Sequence, residues 1–409
     1  MMAKNQRDYF EIKHPWSLTK DDLLSCYLTP YFQKVYRFSH DGIVYVDAFA
    51  GEGKFEDGQY GSPLIALSKV LSVARKQTAK NPVQFILAEA NDASRDKLED
   101  CFRKARGKSR YIKEPIILAD HVEALNQAEK ICVCGSRRPS TVFYYVDPFG
   151  VKDLRLDLLL RSPNPNHTEV LLNFSSIGFL RDACAALSVD FASPQNVKIY
   201  DDGFEDGIRH DERQNRLTRC IGSEDWMDVI ERFKEERIDF WQAEYEISKI
   251  LCRNAARAYN YVTNMPIKDM TQKVNNGGLL KYRMIHMTNN EDGCFLMNDN
   301  MLKRNDLFQL TQPGLFKVDV DGKDVKPDII AARLNDAVAE LSIGEHIKMG
   351  ALAAAVISGC GVFDKVSALL KTYLGPLLDD GILERVVKYT RTGKPKHSFA
   401  ASDIVYRVK

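Results

Sequence analysis

Along residues 17–174, short runs of β-branched and aromatic residues alternate with stretches of helical apolar spacing, a pattern that few folds accommodate. Strands separated by helices pair in parallel, and the crossover helices then cover both faces of the sheet. Residues 17–38 open with Ser-Leu-Thr-Lys-Asp, a helix-start pattern, and place Leu24, Tyr27, Leu28, Tyr31 and Val35 at helical periodicity. Residues 43–49 are β-branched and aromatic and run into Ala50-Gly51-Glu52-Gly53, which reads as a buried strand ending in a tight turn. The same reading predicts helices at 63–76, 93–106, 122–130 and 154–160, with strands at 83–88, 116–118, 141–146 and 169–174.

The alternation stops near residue 180. Helical patterns at 179–187, 226–235 and 239–257, around a polar loop, predict a helical insertion over about 180–264. Residues 282–288 are strand-like and would rejoin the sheet, and 307–320 would supply an edge hairpin. From residue 327 the composition is that of a separate small module: helices at 331–341, 348–357 and 364–373, then strands at 383–389 and 397–406. A chain of 409 residues exceeds what one core usually supports. The expected organisation is therefore a Rossmann-like α/β domain over 1–325, followed by a second domain over 326–409.

Hydrophobic residues at 44%, charged residues at 28% and a net charge of +1 are those of a globular protein, and the total charge names no partner. The nine cysteines are scattered, and the close pair Cys132 and Cys134 has one intervening residue where a zinc knuckle needs two to four. No metal site is expected, and reduced thiols point to a cytoplasmic address. The start of the chain is polar and no apolar run reaches the length of a membrane span, so neither secretion nor a membrane partner is expected.

Open parallel sheets bind ligands beyond the carboxyl ends of their strands, where the winding direction reverses. Four predicted strand ends carry suitable chemistry. The first is Asp47-Ala48-Phe49-Ala50-Gly51-Glu52-Gly53, in which Ala50, Gly51 and Gly53 let the backbone approach a ligand and Asp47 offers a carboxylate. The second ends in Glu89, placed to accept ribose hydroxyls. The third ends in Asp120, which either bonds an adenine amine or caps the helix that follows. The fourth ends in Asp147-Pro148-Phe149-Gly150, where a carboxylate or a carbonyl freed by proline can meet an amine while Phe149 stacks on a flat base.

Competing glycine loops fail on spacing. Gly51 and Gly53 lack the third glycine of the dinucleotide fingerprint, and Gln59-Tyr60 stand where a phosphate loop after Gly53 and Gly58 needs Lys and Ser or Thr. No Gly-x-Ser-x-Gly elbow is present.

At residues 45–53, at Glu56-Asp57-Gly58 and at Gly61-Ser62-Pro63-Leu64 the chain resembles the bacterial three-Cys-motif partner (TcmP) proteins. The resemblance continues in Asp147-Pro148-Phe149-Gly150, Leu172-Asn173-Phe174, the stretch 221–226 and the stretch 282–288, and covers about residues 10–305. It implies a class I methyltransferase-like fold, S-adenosylmethionine as cofactor, and a functional link to a separate protein bearing a three-cysteine motif. A weaker similarity is to ribosomal-RNA adenine methyltransferases, whose fourth strand ends Asp-Pro-Pro-aromatic. Here Phe149 and Gly150 replace the second proline and the aromatic residue.

The last module resembles a winged helix, with Arg385, Lys388, Arg391, Lys394 and Lys396 on and beside its wing. Five basic residues in one hairpin suit nucleic-acid phosphates, and equally a solvated hairpin in a protein-binding winged helix. Two functions therefore stay open at this level: a methyltransferase whose cofactor lies across Gly51, Gly53, Glu89 and Asp120 with Asp147, Pro148 and Phe149 at the acceptor, or an inactive fold that binds nucleic acid or a partner protein.

Overall fold

The computed structural model describes residues 15–38, 42–77, 81–133, 140–161, 165–191, 207–274, 277–310, 327–360, 366–387 and 400–409. Helix α1 (Pro15–Phe38) precedes five β/α units: β1 (Ile43–Asp47), α2 (Ser62–Gln77), β2 (Val83–Ala88), α3 (Asp92–Arg106), β3 (Ile116–Leu118), α4 (His121–Val133), β4 (Thr141–Val146), the single turn α5 (Leu156–Leu159) and β5 (Thr168–Phe174). Helices α6 (Ser176–Ala186), α7 (His210–Ile221), α8 (Trp226–Lys234) and α9 (Phe240–Ala255) follow. Two long strands, β6 (Tyr261–Val274) and β7 (Gly277–Thr288), and helix α10 (Glu291–Leu310) complete this part.

The sheet order is β3-β2-β1-β4-β5-β7-β6, parallel except for β7, which runs against both β5 and β6. A mostly parallel, Rossmann-like sheet with one antiparallel strand at this place is methyltransferase-like. The order reverses between β1 and β4, which puts the ligand crevice of an open α/β sheet beyond Asp47 and Val146. Both faces of the sheet are buried, and alternate residues serve opposite cores. Val44 and Val46 pack into one cluster with helices α4 to α9, and Ile43 and Tyr45 into another with α1, α2, α3 and α10. Each large side chain so buried is worth about 1.5–3 kcal/mol, which is why these strands read as continuous apolar runs.

The structure corrects several expectations. The stretch 180–264 does not stay helical to its end, because β6 begins at Tyr261. The polar loop hides a real helix, α7, whose charged sequence is amphipathic: Arg213, Leu217, Cys220 and Ile221 are buried, and Arg213 faces the buried Asp182 at 3.3 Å. The edge hairpin at 307–320 is wrong at its start, where 307–310 form the last turn of α10, and its remainder lies outside the described residues.

The last part contains α11 (Pro327–Ala339), β8 (His346–Lys348), α12 (Met349–Cys360), a helical stretch from Val366 to Asp379, β9 (Leu383–Arg385) and β10 (Ile404–Arg407). Its sheet is antiparallel in the order β8-β10-β9. The core here includes Leu352, Ile357, Leu370, Leu374 and Val405, and it also takes in Cys294 from α10. The Val262 N–H donates to Ser358 Oγ at 2.8 Å, tying β6 to α12. Among the described residues no helix is long and apolar enough to cross a membrane.

Candidate functional site

At the switch point the chain leaving β1 divides its hydrogen bonds between the two neighbouring strands. The Ala48 N–H donates to the Tyr145 carbonyl of β4 at 3.0 Å, and the Ala50 N–H to the Ala88 carbonyl of β2 at 2.8 Å. Gly51 and Gly53 then take positive φ, +58° and +75°, which an L side chain rarely adopts. Gly53 is constrained further, since a Cβ there would stand 2.8 Å from Cys101 Sγ and 2.9 Å from Leu98 Cδ1 on α3. Its carbonyl accepts the Gly61 N–H at 2.9 Å, which closes the loop back to the start of α2.

Glu89 lies beside this loop. Its carboxylate accepts the Asn91 N–H at 2.8 Å, and its own N–H donates to the Leu118 carbonyl at the end of β3. Partial burial raises the Glu89 pKa, and the nearby Asn91 and Gly51 N–H groups oppose that shift. The first and second predicted strand ends thus meet through the Ala50 bond to the Ala88 carbonyl. The Asp120 side chain makes no hydrogen bond to either among the described residues: it is exposed, and its Oδ1 accepts the Val122 N–H at 2.8 Å as the N-terminal cap of α4. Next to it His121 stacks on Phe49, with ring centroids 5.0 Å apart.

Asp47 is fully buried, with Oδ1 near the Phe49 N–H at 3.3 Å and Oδ2 enclosed without a hydrogen-bond partner. Burial pushes its pKa up to about 7; Ser62 and the Phe49 N–H work against the rise, and the charges of Asp147 and Asp21 add to it. A buried carboxylate oxygen without a hydrogen-bond donor, beside a glycine turn and the Glu89 carboxylate, has the chemistry to meet a ligand that carries an ammonium and hydroxyls.

Asp147 occupies a different setting. Lys20 from α1, itself buried, donates to Oδ1 at 2.9 Å and to Oδ2 at 2.7 Å. Asn173 Nδ2 of β5 reaches Oδ1 at 2.6 Å, and the Tyr145 hydroxyl reaches Oδ2 at 3.3 Å. Burial, with Asp147, Asp21 and Asp47 close by, holds the Tyr145 pKa well above its usual value, so the phenol keeps its proton and donates. Lys20 also lies over the Tyr282 ring of β7, 4.8 Å from its centroid. One residue further along, Arg283 makes a buried two-pronged pair with Glu244 of α9 at 2.6 and 2.7 Å. Pro148 is buried, Phe149 is exposed at 39%, and Gly150 turns the chain at φ +80°.

No protein-family model matches the chain, and no curated protein matches it by sequence. Among solved structures it is similar to a Legionella pneumophila protein of family DUF519, at 8% identity over 72% of this chain and 94% of that chain, with a TM-score of 0.38. It is also similar to Trm1 from Pyrococcus horikoshii in complex with S-adenosyl-L-methionine, at 12% identity over 99% of this chain and 93% of that chain, with a TM-score of 0.33. Likeness this loose leaves the fold resting on the strand order itself.

Sequence reasoning overlooked Lys20, Tyr145 and the Arg283–Glu244 pair. Lys20 carried a usable signal, since it falls on the apolar stripe of α1, three and four residues before Leu23 and Leu24 and seven before Tyr27. A charge on such a stripe needs a buried partner. Of the basic wing residues, Arg385 is spent on Asp403 at 2.6 Å and is 17% exposed. Lys388, Arg391, Lys394 and Lys396 lie outside the described residues.

Proposed function

We propose that the protein is an S-adenosylmethionine-dependent methyltransferase, with the cofactor across Asp47, Ala50, Gly51, Gly53, Glu89 and Asp120. The observation that carries this reading is the Glu89 carboxylate, which accepts the Asn91 N–H beside the glycine turn after β1, at the reversal of the sheet. Glu89 would accept the ribose hydroxyls, Asp47 the ammonium, and the glycine turn would admit the chain between them. S-adenosylmethionine supplies a methyl group on a sulfonium, and the protein's task is to align an acceptor with it and exclude water. Asp147, Pro148 and Phe149 line the acceptor side, with Phe149 offering a flat surface for stacking.

The division into 1–325 and 326–409, and the resemblance to three-Cys-motif partner proteins, enter this proposal as well. Three helices and a sheet ordered β8-β10-β9 suit a winged-helix-like module, and the basic residues Arg385, Lys388, Arg391, Lys394 and Lys396 suit nucleic-acid phosphate or a three-cysteine-motif protein. The setting is cytoplasmic, in keeping with scattered thiols. A second reading, an inactive fold kept for binding, is favoured by one observation: Asp147 is already fully engaged by the protein's own donors. Calorimetric titration with S-adenosylmethionine and S-adenosylhomocysteine tests the cofactor. Transfer of labelled methyl to RNA, DNA and protein then separates the two readings. Wild-type protein that shows no heat at millimolar cofactor overturns the first.

A further inference from the structure

The end of β4 is where a carboxylate would be expected to receive an acceptor amine, and the surroundings of Asp147 oppose that use. A carboxylate offers about four lone-pair positions. Lys20 approaches both oxygens, Asn173 one and Tyr145 the other, so four donors from three side chains already meet that capacity. The Lys20 side chain is 5% exposed, and its ammonium lies between the carboxylate and the Tyr282 ring. A buried lysine is costly unless paired, and this one comes from α1, 127 positions away in sequence from Asp147. The charged and titratable groups facing the pair are Asp21 of α1, Tyr45 and Asp47 of β1, Tyr145 of β4 and Tyr282 of β7. Three carboxylates, Asp21, Asp47 and Asp147, converge here, and Lys20 is the cation bonded to one of them.

We propose that Lys20 is a positioning residue that neutralises Asp147 and occupies its acceptor capacity, so that the transfer site receives an uncharged group stacked on its rim and not an amine held by this carboxylate. This rests on the methyltransferase reading and specifies the acceptor class of that site. It also makes α1 part of the site: the helix brings in the charge that sets the electrostatics beside the departing methyl group.

The test compares three ligands by calorimetry on the full-length protein. S-adenosylmethionine is cationic at sulfur, S-adenosylhomocysteine is neutral there, and sinefungin carries an amine at the same place. Lys20→Met leaves the Asp147 carboxylate uncompensated, so the affinity ratio of either cationic ligand to S-adenosylhomocysteine rises by about tenfold. Asp147→Asn removes the negative partner and leaves the ammonium, so the same ratio falls by a similar factor. Lys20→Arg keeps the wild-type ratio, and the double variant Lys20→Met/Asp147→Asn returns close to it. A purely structural role lowers the affinity of all three ligands together and leaves the ratios unmoved. Ratios within twofold of wild type in both single variants, with binding retained, overturn the proposal while the cofactor assignment stands. Should Lys20→Met fail to fold, the opposite-sign shift in Asp147→Asn decides alone. Wild-type protein that binds none of the three overturns the methyltransferase reading, and this inference with it.

Discussion

The two halves of the sheet's carboxyl rim are built on different principles. Beyond β1 to β3 the acceptors are satisfied mainly by nearby backbone: Glu89 takes the Asn91 N–H, Asp120 takes the Val122 N–H, and Asp47 approaches that of Phe49. Beyond β4 and β5 the polar groups are satisfied by side chains from distant elements, Lys20 from α1 on Asp147 and Glu244 from α9 on Arg283. A carboxylate held by backbone N–H groups keeps lone pairs for a ligand and loses little if the ligand leaves. A carboxylate enclosed by a buried cation is committed to the fold. On the proposed reading, cofactor binding falls to the first half and rigidity to the second, and substitutions on the two sides should report different quantities.

The largest effect is expected on the rigid side. Glu244→Ala strands the Arg283 guanidinium, 3% exposed, without its two-pronged partner, and breaking a buried pair typically costs about 3–5 kcal/mol. Urea denaturation of the variant should show a loss of that size. If instead the midpoint hardly moves, the pair is not structural and the contrast between the two halves fails. Glu89→Ala should do the opposite, leaving global stability nearly intact while weakening S-adenosylmethionine binding by about 1–3 kcal/mol. Equal affinity in variant and wild type would remove Glu89 from the ribose.

How legible each half was in the sequence follows from the same difference. The glycine turn, Glu89 and Asp120 depend on residues within a few positions of each other or on successive strand ends, so the strand pattern alone put them on one rim. Strands β1, β2 and β4 were legible because each is buried on both faces. The partners of Lys20 and Glu244 were not, because only the packing of α1 and α9 brings these residues to Asp147 and Arg283. Helix α7 was missed for a related reason. Its buried arginine faces Asp182 of α6, and in sequence that reads as the polarity of a loop.

Asp47 lets the comparison be sharpened with pH. Its carboxyl is raised by burial to about 7, against an ordinary value near 3.8, so between those values the folded protein binds a proton that the unfolded chain releases. Its contribution to stability is thus fully present below about pH 4 and is lost as pH rises through about 7. A bound cofactor ammonium would favour the ionised form and expel that proton. Calorimetry at pH 6 in buffers of different ionisation enthalpy should show release of up to about one proton, absent at pH 9 and absent in Asp47→Asn. Identical heats in all buffers at pH 6 would place the ammonium elsewhere.

The smallest expected effect separates the two roles of Asp120, which sits on the ligand half but is bonded like a helix cap. Oδ1 is committed to the Val122 N–H, and the Asp120 carbonyl accepts from Ala124 at 3.0 Å, so the residue starts α4 whatever else it does. Its side chain is 59% exposed on the same rim as Glu89, where an adenine amine could reach it. Asp120→Ala removes both functions and should cost about 1 kcal/mol of stability through the lost cap. Asp120→Ser keeps a good cap but shortens the side chain and removes the charge. If Asp120 also bonds the adenine, the serine variant should hold wild-type stability and bind S-adenosylmethionine about fivefold more weakly, a change of about 1 kcal/mol. If it is a cap alone, the serine variant should match wild type in both thermal unfolding and calorimetry, and the adenine would rest on apolar neighbours such as the stacked Phe49 and His121. Measuring the two variants side by side separates those outcomes, because only the alanine variant alters the helix and only ligand contact alters the serine variant.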